Sequence, residues 1–316
     1  MDIVVIGSAM VDIVIHTNRL VKLRSKFKNY LGFPYGSKTE IEELEFNVGG
    51  SGHNIAVGLS KLGNKVGFIG RIGNDPNGLL IANNFKMEGV DTRFLKKTKE
   101  DMTGFSQVFI TPDGEKSILT HRGINDSLSS DDIPEDVRNV KWLVFTTVLS
   151  NGALDAVRKT VEIVKRNGGK ILANPSITMV KHRKRELLEL IKKSDIVIMN
   201  KEEVRELMNS RSEKSALKKL LKLGVQSVVV TLGKKGLISS DKNIVYKKKP
   251  FKVKIVDTTG AGDGFTAGFL HWLMKTNSFE DALTFGSATA ALNIESIGAT
   301  KNLPSEKDII NLIGRK

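Results

Sequence analysis

Asp257-Thr258-Thr259-Gly260-Ala261-Gly262-Asp263-Gly264-Phe265 is a glycine-rich turn that runs straight into a helical segment, with Phe265, Phe269, Trp272 and Leu273 on one stripe. A turn that opens into a helix leaves the first backbone N–H groups unpaired at the positive end of the helix dipole, which suits a phosphate or a developing oxyanion. Three glycines within five residues are a costly start for a helix unless something must approach the backbone closely. Asp263, in the first helical turn, could serve as no more than a favourable charge on the dipole, but the glycines around it point to chemistry. No GxxxxGK[ST] string and no GxGxxG string occurs, so the stretch is neither a P-loop nor a dinucleotide fingerprint.

Outward from this stretch, apolar runs at 3–14, 66–72, 142–149, 171–174, 196–200 and 225–232 alternate with amphipathic segments such as 56–62, 154–165 and 216–223. The rhythm predicts right-handed βαβ units around a buried, mostly parallel sheet, with sites gathered at the strand C-terminal ends. Two regions break it. Leu44, Phe46 and Val48 alternate with Glu43, Glu45 and Asn47, and strand-like runs at 105–111 and 116–121 flank Pro112-Asp113-Gly114. A strand plus a hairpin predict a small β-sheet appended to the main domain.

The 316 residues carry 49 Lys and Arg against 35 Asp and Glu, a net charge of +14, yet the basic residues are dispersed among acidic ones and aromatics make up only 6%. That distribution argues against a nucleic-acid partner and for a solvated surface that still attracts small anions. The densest run, Lys247-Lys248-Lys249 with Lys252 and Lys254, reads as a solvated strand connection. Zero cysteines exclude disulfides, thiolate zinc sites, iron–sulfur clusters and cysteine nucleophiles. The start lacks a basic n-region and no apolar stretch reaches about 18 residues, so no membrane span and a cytoplasmic location are expected.

The 257–265 stretch and its continuation to Phe269 resemble the C-terminal signature of the ribokinase-like (PfkB) carbohydrate kinases. Val48-Gly49-Gly50-Ser51-Gly52-His53-Asn54-Ile55-Ala56, running on to Leu62-Gly63, resembles the N-terminal signature. Gly7-Ser8 with Asp12, Gly73-Asn74-Asp75 with Gly78, Asn200 to Glu203, and Thr231-Leu232-Gly233-Lys234-Lys235-Gly236 resemble further family elements in order. The resemblance implies a three-layer α/β/α sandwich with a mostly parallel central sheet and a small β lid. The main domain is expected at 1–12, 49–100 and 123–316, and the lid at 13–48 and 101–122.

The resemblance also implies roles. Asp263 matches the catalytic base that takes the proton of a primary hydroxyl attacking the γ-phosphate of ATP, and the amides of Gly260, Ala261 and Gly262 match the anion hole. Asn200 and Glu203 match a motif that organises Mg2+, usually through water, although Asn-x-x-Glu is equally an ordinary capping box. Thr231, Gly233 and Gly236 fall where the family places the nucleotide. Asp12, Gly50 and Asn54 match acceptor contacts, and Arg122 fits either a substrate contact or surface charge. Asp257 and Thr259, with the 298–299 region, match a monovalent-cation site for K+. A lone histidine beside a glycine turn is expected to be exposed, so His53 receives no role. Family members often pair lids, which makes a homodimer an expectation here.

Departures from ribokinase bear on the acceptor. Met10 stands where ribokinases carry Asn and Ser51 where they carry Lys, while Thr146-Thr147-Val148-Leu149 replaces a strand end with Glu. Ribose is thereby disfavoured, and Met10 offers an apolar surface that could pack on a base. The expectation is an ATP- and Mg2+-dependent kinase acting on the hydroxymethyl group of a sugar, with a nucleoside kinase as the alternative. A non-catalytic ligand-binding relative is the reading from another class.

Overall fold

Val4 and Ile6 of the first strand face one apolar cluster and Ile3 and Val5 another, and all four side chains are sealed from solvent. A strand buried on both faces belongs in the middle of a covered parallel sheet. The computed structural model, which describes residues 1–316 apart from 26–28, 112–115, 242–243, 302 and 316, places it there. In chain order the elements are β1 (Ile3–Ile6), β2 (Met10–His16), β3 (Val21–Arg24), β4 (Asn29–Gly32), β5 (Glu43–Gly49), α1 (Ser51–Lys61), β6 (Val66–Gly73), α2 (Pro76–Met87), β7 (Leu95–Thr98), β8 (Phe105–Ile110) and β9 (Lys116–His121). There follow β10 (Trp142–Phe145), α3 (Asn151–Arg166), β11 (Lys170–Ala173), α4 (Ile177–His182), α5 (Lys184–Lys192), β12 (Ile196–Asn200), α6 (Lys201–Leu207), α7 (Glu213–Lys222), β13 (Ser227–Thr231), β14 (Leu237–Asp241), β15 (Ile244–Lys248), α8 (Ala261–Thr276), α9 (Phe279–Asn293) and α10 (Glu306–Gly314).

Nine strands form the central sheet in the order β15-β14-β13-β12-β11-β10-β1-β6-β7, parallel from β13 to β7. Helices α3 to α7 cover one face, and α1, α2, α8 and α9 cover the other. The chain runs outward from β1 on one side and returns to β10 to run outward on the other. The strand order reverses between β1 and β10, which opens a crevice at their C-terminal ends. The lysine-rich run borders β15, the antiparallel edge strand, where charge discourages further pairing.

The single apolar run expected at 3–14 is two strands in two sheets. β1 ends at Ile6, and the Asn125 side chain grips the bend by accepting from the Ala9 amide and donating to its carbonyl. β2 then enters a four-stranded sheet, β5-β2-β8-β9, so this sheet starts at Met10 rather than after Asp12. Hydrophobicity alone does not show such a bend, because both strands are apolar. The turn expected at Pro112-Asp113-Gly114 lies outside the described residues. Among the described residues, no helix is long and apolar enough to cross a membrane.

Candidate active site

Gly260 caps α8 with φ +75°, and a Cβ there would stand 2.6 Å from Ala299 Cβ, so conformation and crowding both demand glycine. The loop before it is tied down by the Val256 amide, which donates to the Ile294 carbonyl. Of the expected anion hole, the Ala261 amide turns back to the Thr258 carbonyl at 3.3 Å. Gly262 stands in the first helical turn, where an amide lacks a helical partner, and the space its side chain would fill is open toward a pocket. Asp263 lines the same pocket.

Asn54, on α1, donates from Nδ2 to Asp263 Oδ2 at 2.8 Å, joining the two glycine-rich motifs across 209 residues of sequence. The Ser51 hydroxyl also bonds Asp263. Burial pushes the Asp263 carboxyl up to about 6, against the pull of these two donors. Gly50 holds φ +94° at the start of α1, with room for no side chain beside the Ser8 carbonyl. Asp12 sits on β2 beside Gly49, whose missing side chain makes space for the carboxylate. Its pKa is raised by burial, partly offset by a hydrogen bond from Ser106. Strand register sets Asp12, Ser106 and Thr120 side by side on one face of the small sheet.

Behind Asp263 lies a cavity of about 110 Å³ lined by Ser51, Asn174, Ser176, Asn200, Glu203, Thr231 and Gly262 among others, at the C-terminal ends of β11, β12 and β13. Asn200 and Glu203 do form a capping box: Asn200 Oδ1 accepts from the Glu202 and Glu203 amides, and Glu203 Oε2 accepts from the Asn200 amide at 2.7 Å. Burial pushes the Glu203 carboxyl up to about 7, with Glu202 and Asp263 adding repulsion. Among the described residues no cluster of three His, Cys, Asp or Glu could cage a metal. Asn200 and Glu203 line the cavity, and their oxygens are hard donors of the kind that would hold Mg2+ through its waters.

Asp257 and Thr259 are brought together, but with a different cation. Lys116 Nζ, from β9, lies 2.6 Å from Asp257 Oδ1 and 3.0 Å from Thr259 Oγ1. Asp257 also accepts from the Thr259 hydroxyl and from the Thr259 and Gly298 amides. Burial works against these contacts, yet they hold its carboxyl down at about 2. A carboxylate met by an ammonium and backbone N–H donors is not an open acceptor set, so these residues do not fit a bound K+. Arg122 does not reach the pocket lining: its Nε pairs with Asp126 Oδ1 at 2.8 Å. Gly233 and Gly236 shape the β13–β14 connection next to Thr231, both at positive φ.

His53 corrects an expectation. It is fully buried, with ring nitrogens facing Asn54 and Asn84, because its face of α1 packs inward against Phe85. Ser51, Asn174 and Ser176 were not assigned from sequence. Ser51 lies inside a quoted motif, whereas Asn174 and Ser176 follow a strand end that carries no motif. A larger groove of about 310 Å³ between α3 and α5 contains the Lys165–Asp195 ion pair and none of the expected site residues.

Comparisons with known proteins give the family and the fold. A family model described as pfkB family carbohydrate kinase matches residues 1–306. The chain is 32% identical to the ribokinase of Haemophilus influenzae over 277 residues, covering 86% of this chain and 89% of that protein. It is likewise 32% identical to the 5-dehydro-2-deoxygluconokinase of Clostridium beijerinckii over 332 aligned residues, covering 99% and 93%. The solved structure of Arabidopsis thaliana ribokinase complexed with ribose and ATP superposes with a TM-score of 0.85 at 28% identity, covering 99% of this chain and 98% of that one. With its two glycine-rich motifs meeting at Asp263, the chain belongs to the pfkB family of carbohydrate kinases, phosphotransferases that act on a sugar hydroxyl.

Proposed function

We propose that this kinase transfers the γ-phosphate of ATP, with Mg2+, to the hydroxymethyl group of a free sugar, with Asp263 as the base. The observation that carries this reading is the 2.8 Å bond between Asn54 and Asp263, which binds the acceptor motif to the anion-hole helix. The hydroxyl oxygen forms the new P–O bond, the bond to the ADP leaving group breaks, and the hydroxyl proton passes to the Asp263 carboxylate. A carboxyl near 6 is about 90% ionised at pH 7 and ready to accept. The transition state is loose, so alignment and charge stabilisation outweigh basicity. The Gly262 amide, at the start of α8, would meet the transferring phosphoryl charge, with Gly260 and Ala261 shaping the loop. Asp12, Gly50 and Asn54 would hold the sugar, while Asn200, Thr231, Gly233 and Gly236 would flank the nucleotide. Bound Mg2+ would neutralise phosphate charge, held through water by Glu203.

The nucleoside alternative requires an apolar slot at Met10. Met10 is instead buried, with the Ser106 hydroxyl 3.7 Å from its sulfur, which favours a sugar. K+ is no part of this proposal, because Lys116 already meets Asp257. Residues 10–48 and 101–122 would act as the lid, anchored by Lys116–Asp257 and by Lys301–Glu45 at 3.2 Å. Leu44, Phe46 and Leu119 share the outer face of the lid sheet and are exposed, a surface that a second copy of the chain would cover. Light scattering at the mass of one chain would refute that dimer. A cytoplasmic location, where ATP is supplied, completes the proposal. The test is ADP release with ATP and Mg2+ across free sugars, sugar phosphates and nucleosides. Turnover of free sugars is expected, and turnover of nucleosides alone would overturn the assignment.

A further inference from the structure

His53 takes no part in the site as described, yet it is fully buried one residue before Asn54, its ring centroid 4.9 Å from that of Phe85. Both ring nitrogens are engaged. Nδ1 lies 3.2 Å from Asn54 Oδ1, and Nε2 lies 2.7 Å from Asn84 Oδ1, so that as placed both ring nitrogens face amide oxygens. Asn54 in turn directs Nδ2 to Asp263 Oδ2.

The direction of every bond in this chain follows from its end. An ionised carboxylate only accepts, so Asn54 gives its NH2 to Asp263 and its carbonyl oxygen to His53. His53 must then carry its proton on Nδ1. Burial opposes a second proton on the ring, leaving Nε2 a bare acceptor. The Asn84 amide is therefore turned over relative to its placed orientation, which exchanges Oδ1 for the NH2 facing Nε2, an assignment made from the partners. The charged groups acting on the ring, Glu88 and Lys61, pair with each other at 3.4 Å and so largely cancel.

We propose that His53 is a positioning residue for phosphoryl transfer: the relay from Asn84 through His53 locks the Asn54 amide, which together with the Ser51 hydroxyl holds the Asp263 carboxylate in place to take the substrate proton. The inference rests on Asp263 being the base. The competing role for His53 is core filling alone.

Two substitutions separate these roles. An Asn amide nitrogen stands where imidazole Nδ1 does, whereas a Gln amide nitrogen stands where Nε2 does. His53→Asn thus keeps a donor to Asn54 but removes more volume, and His53→Gln fills the space better but breaks the link to Asn54. Packing alone ranks Gln above Asn in both stability and activity. The relay predicts that His53→Asn keeps kcat within about threefold while His53→Gln loses about tenfold, with KM for both substrates unchanged. In the wild-type enzyme, histidine 15N NMR should show His53 neutral and protonated at Nδ1 from pH 6 to 8. That measurement decides the matter even if neither variant folds. A proton on Nε2, or His53→Gln at least as active as His53→Asn, overturns the relay. Loss of activity in Asp263→Asn with either of those results means that the relay fails while the base stands; full activity in Asp263→Asn removes the base itself.

Discussion

Asp263→Asn removes a negative charge that the fold resists and the proposed reaction requires, so stability and activity should move in opposite directions. The carboxyl is raised from 3.8 to about 6 on folding, chiefly by burial. A shift of about 2 units corresponds to roughly 3 kcal/mol against the ionised form. Water entering through the pocket trims this to about 1–2 kcal/mol. The folded state holds this proton more tightly than the unfolded chain does. The penalty is therefore nil below about pH 4, builds between the unfolded and folded pKa values, and is complete above about pH 6. Asparagine matches the shape, keeps an oxygen for Asn54 and never ionises. The variant should match wild type at pH 4 and exceed it by about 1–2 kcal/mol at pH 8, or roughly 2–4 °C in Tm for a chain of this size. Its kcat should fall by at least about 100-fold. Thermal unfolding from pH 4 to 8 and ADP release with the preferred sugar measure the two effects. A stability difference that does not grow with pH, or more than about a tenth of wild-type kcat, refutes the reasoning.

Asp12→Asn should raise the sugar KM by about 10-fold or more with kcat little changed, since it weakens acceptor contacts that form before the chemical step. An unchanged KM at saturating ATP would remove Asp12 from the acceptor site. Glu203→Gln should raise the Mg2+ concentration for half-maximal rate about tenfold, because a neutral amide orders the ion's waters less well; an unchanged Mg2+ titration counts against that role. Wild-type activity should be indifferent to replacing K+ with tetramethylammonium, because the Lys116 ammonium already sits on Asp257. Lys116→Met should lower activity and gain a response to K+, and K+ activation of the wild type would sink this reading.

The βαβ rhythm was legible because parallel strands buried on both faces are continuous apolar runs bounded by amphipathic helices. β12 was read over its full length at 196–200, and β6 to within one residue. The glycine turn ahead of Asp263 was legible for a local reason: an anion-binding helix start must be written in consecutive residues. Asn200 and Glu203 were readable as a cap and as a magnesium motif, and the structure makes them a cap that also lines the cavity. The bend at Gly7-Ser8-Ala9 was not legible. It is held by Asn125, more than a hundred residues away, and the strands on either side are equally apolar.

The sequence by itself determined the class of fold and the two glycine-rich motifs, whose family resemblance singled out Asp263 as the proposed base, because periodicity, capping and backbone conformation are properties of neighbouring residues. Only the tertiary structure decided which side chains meet. Lys116 and Asp257 lie 141 residues apart, and Asn54 and Asp263 lie 209 apart. Whether a carboxylate finds an ammonium or an open site, and whether a histidine beside a glycine turn is exposed or buried in a hydrogen-bonded chain, depends on packing between elements that have no fixed spacing along the chain.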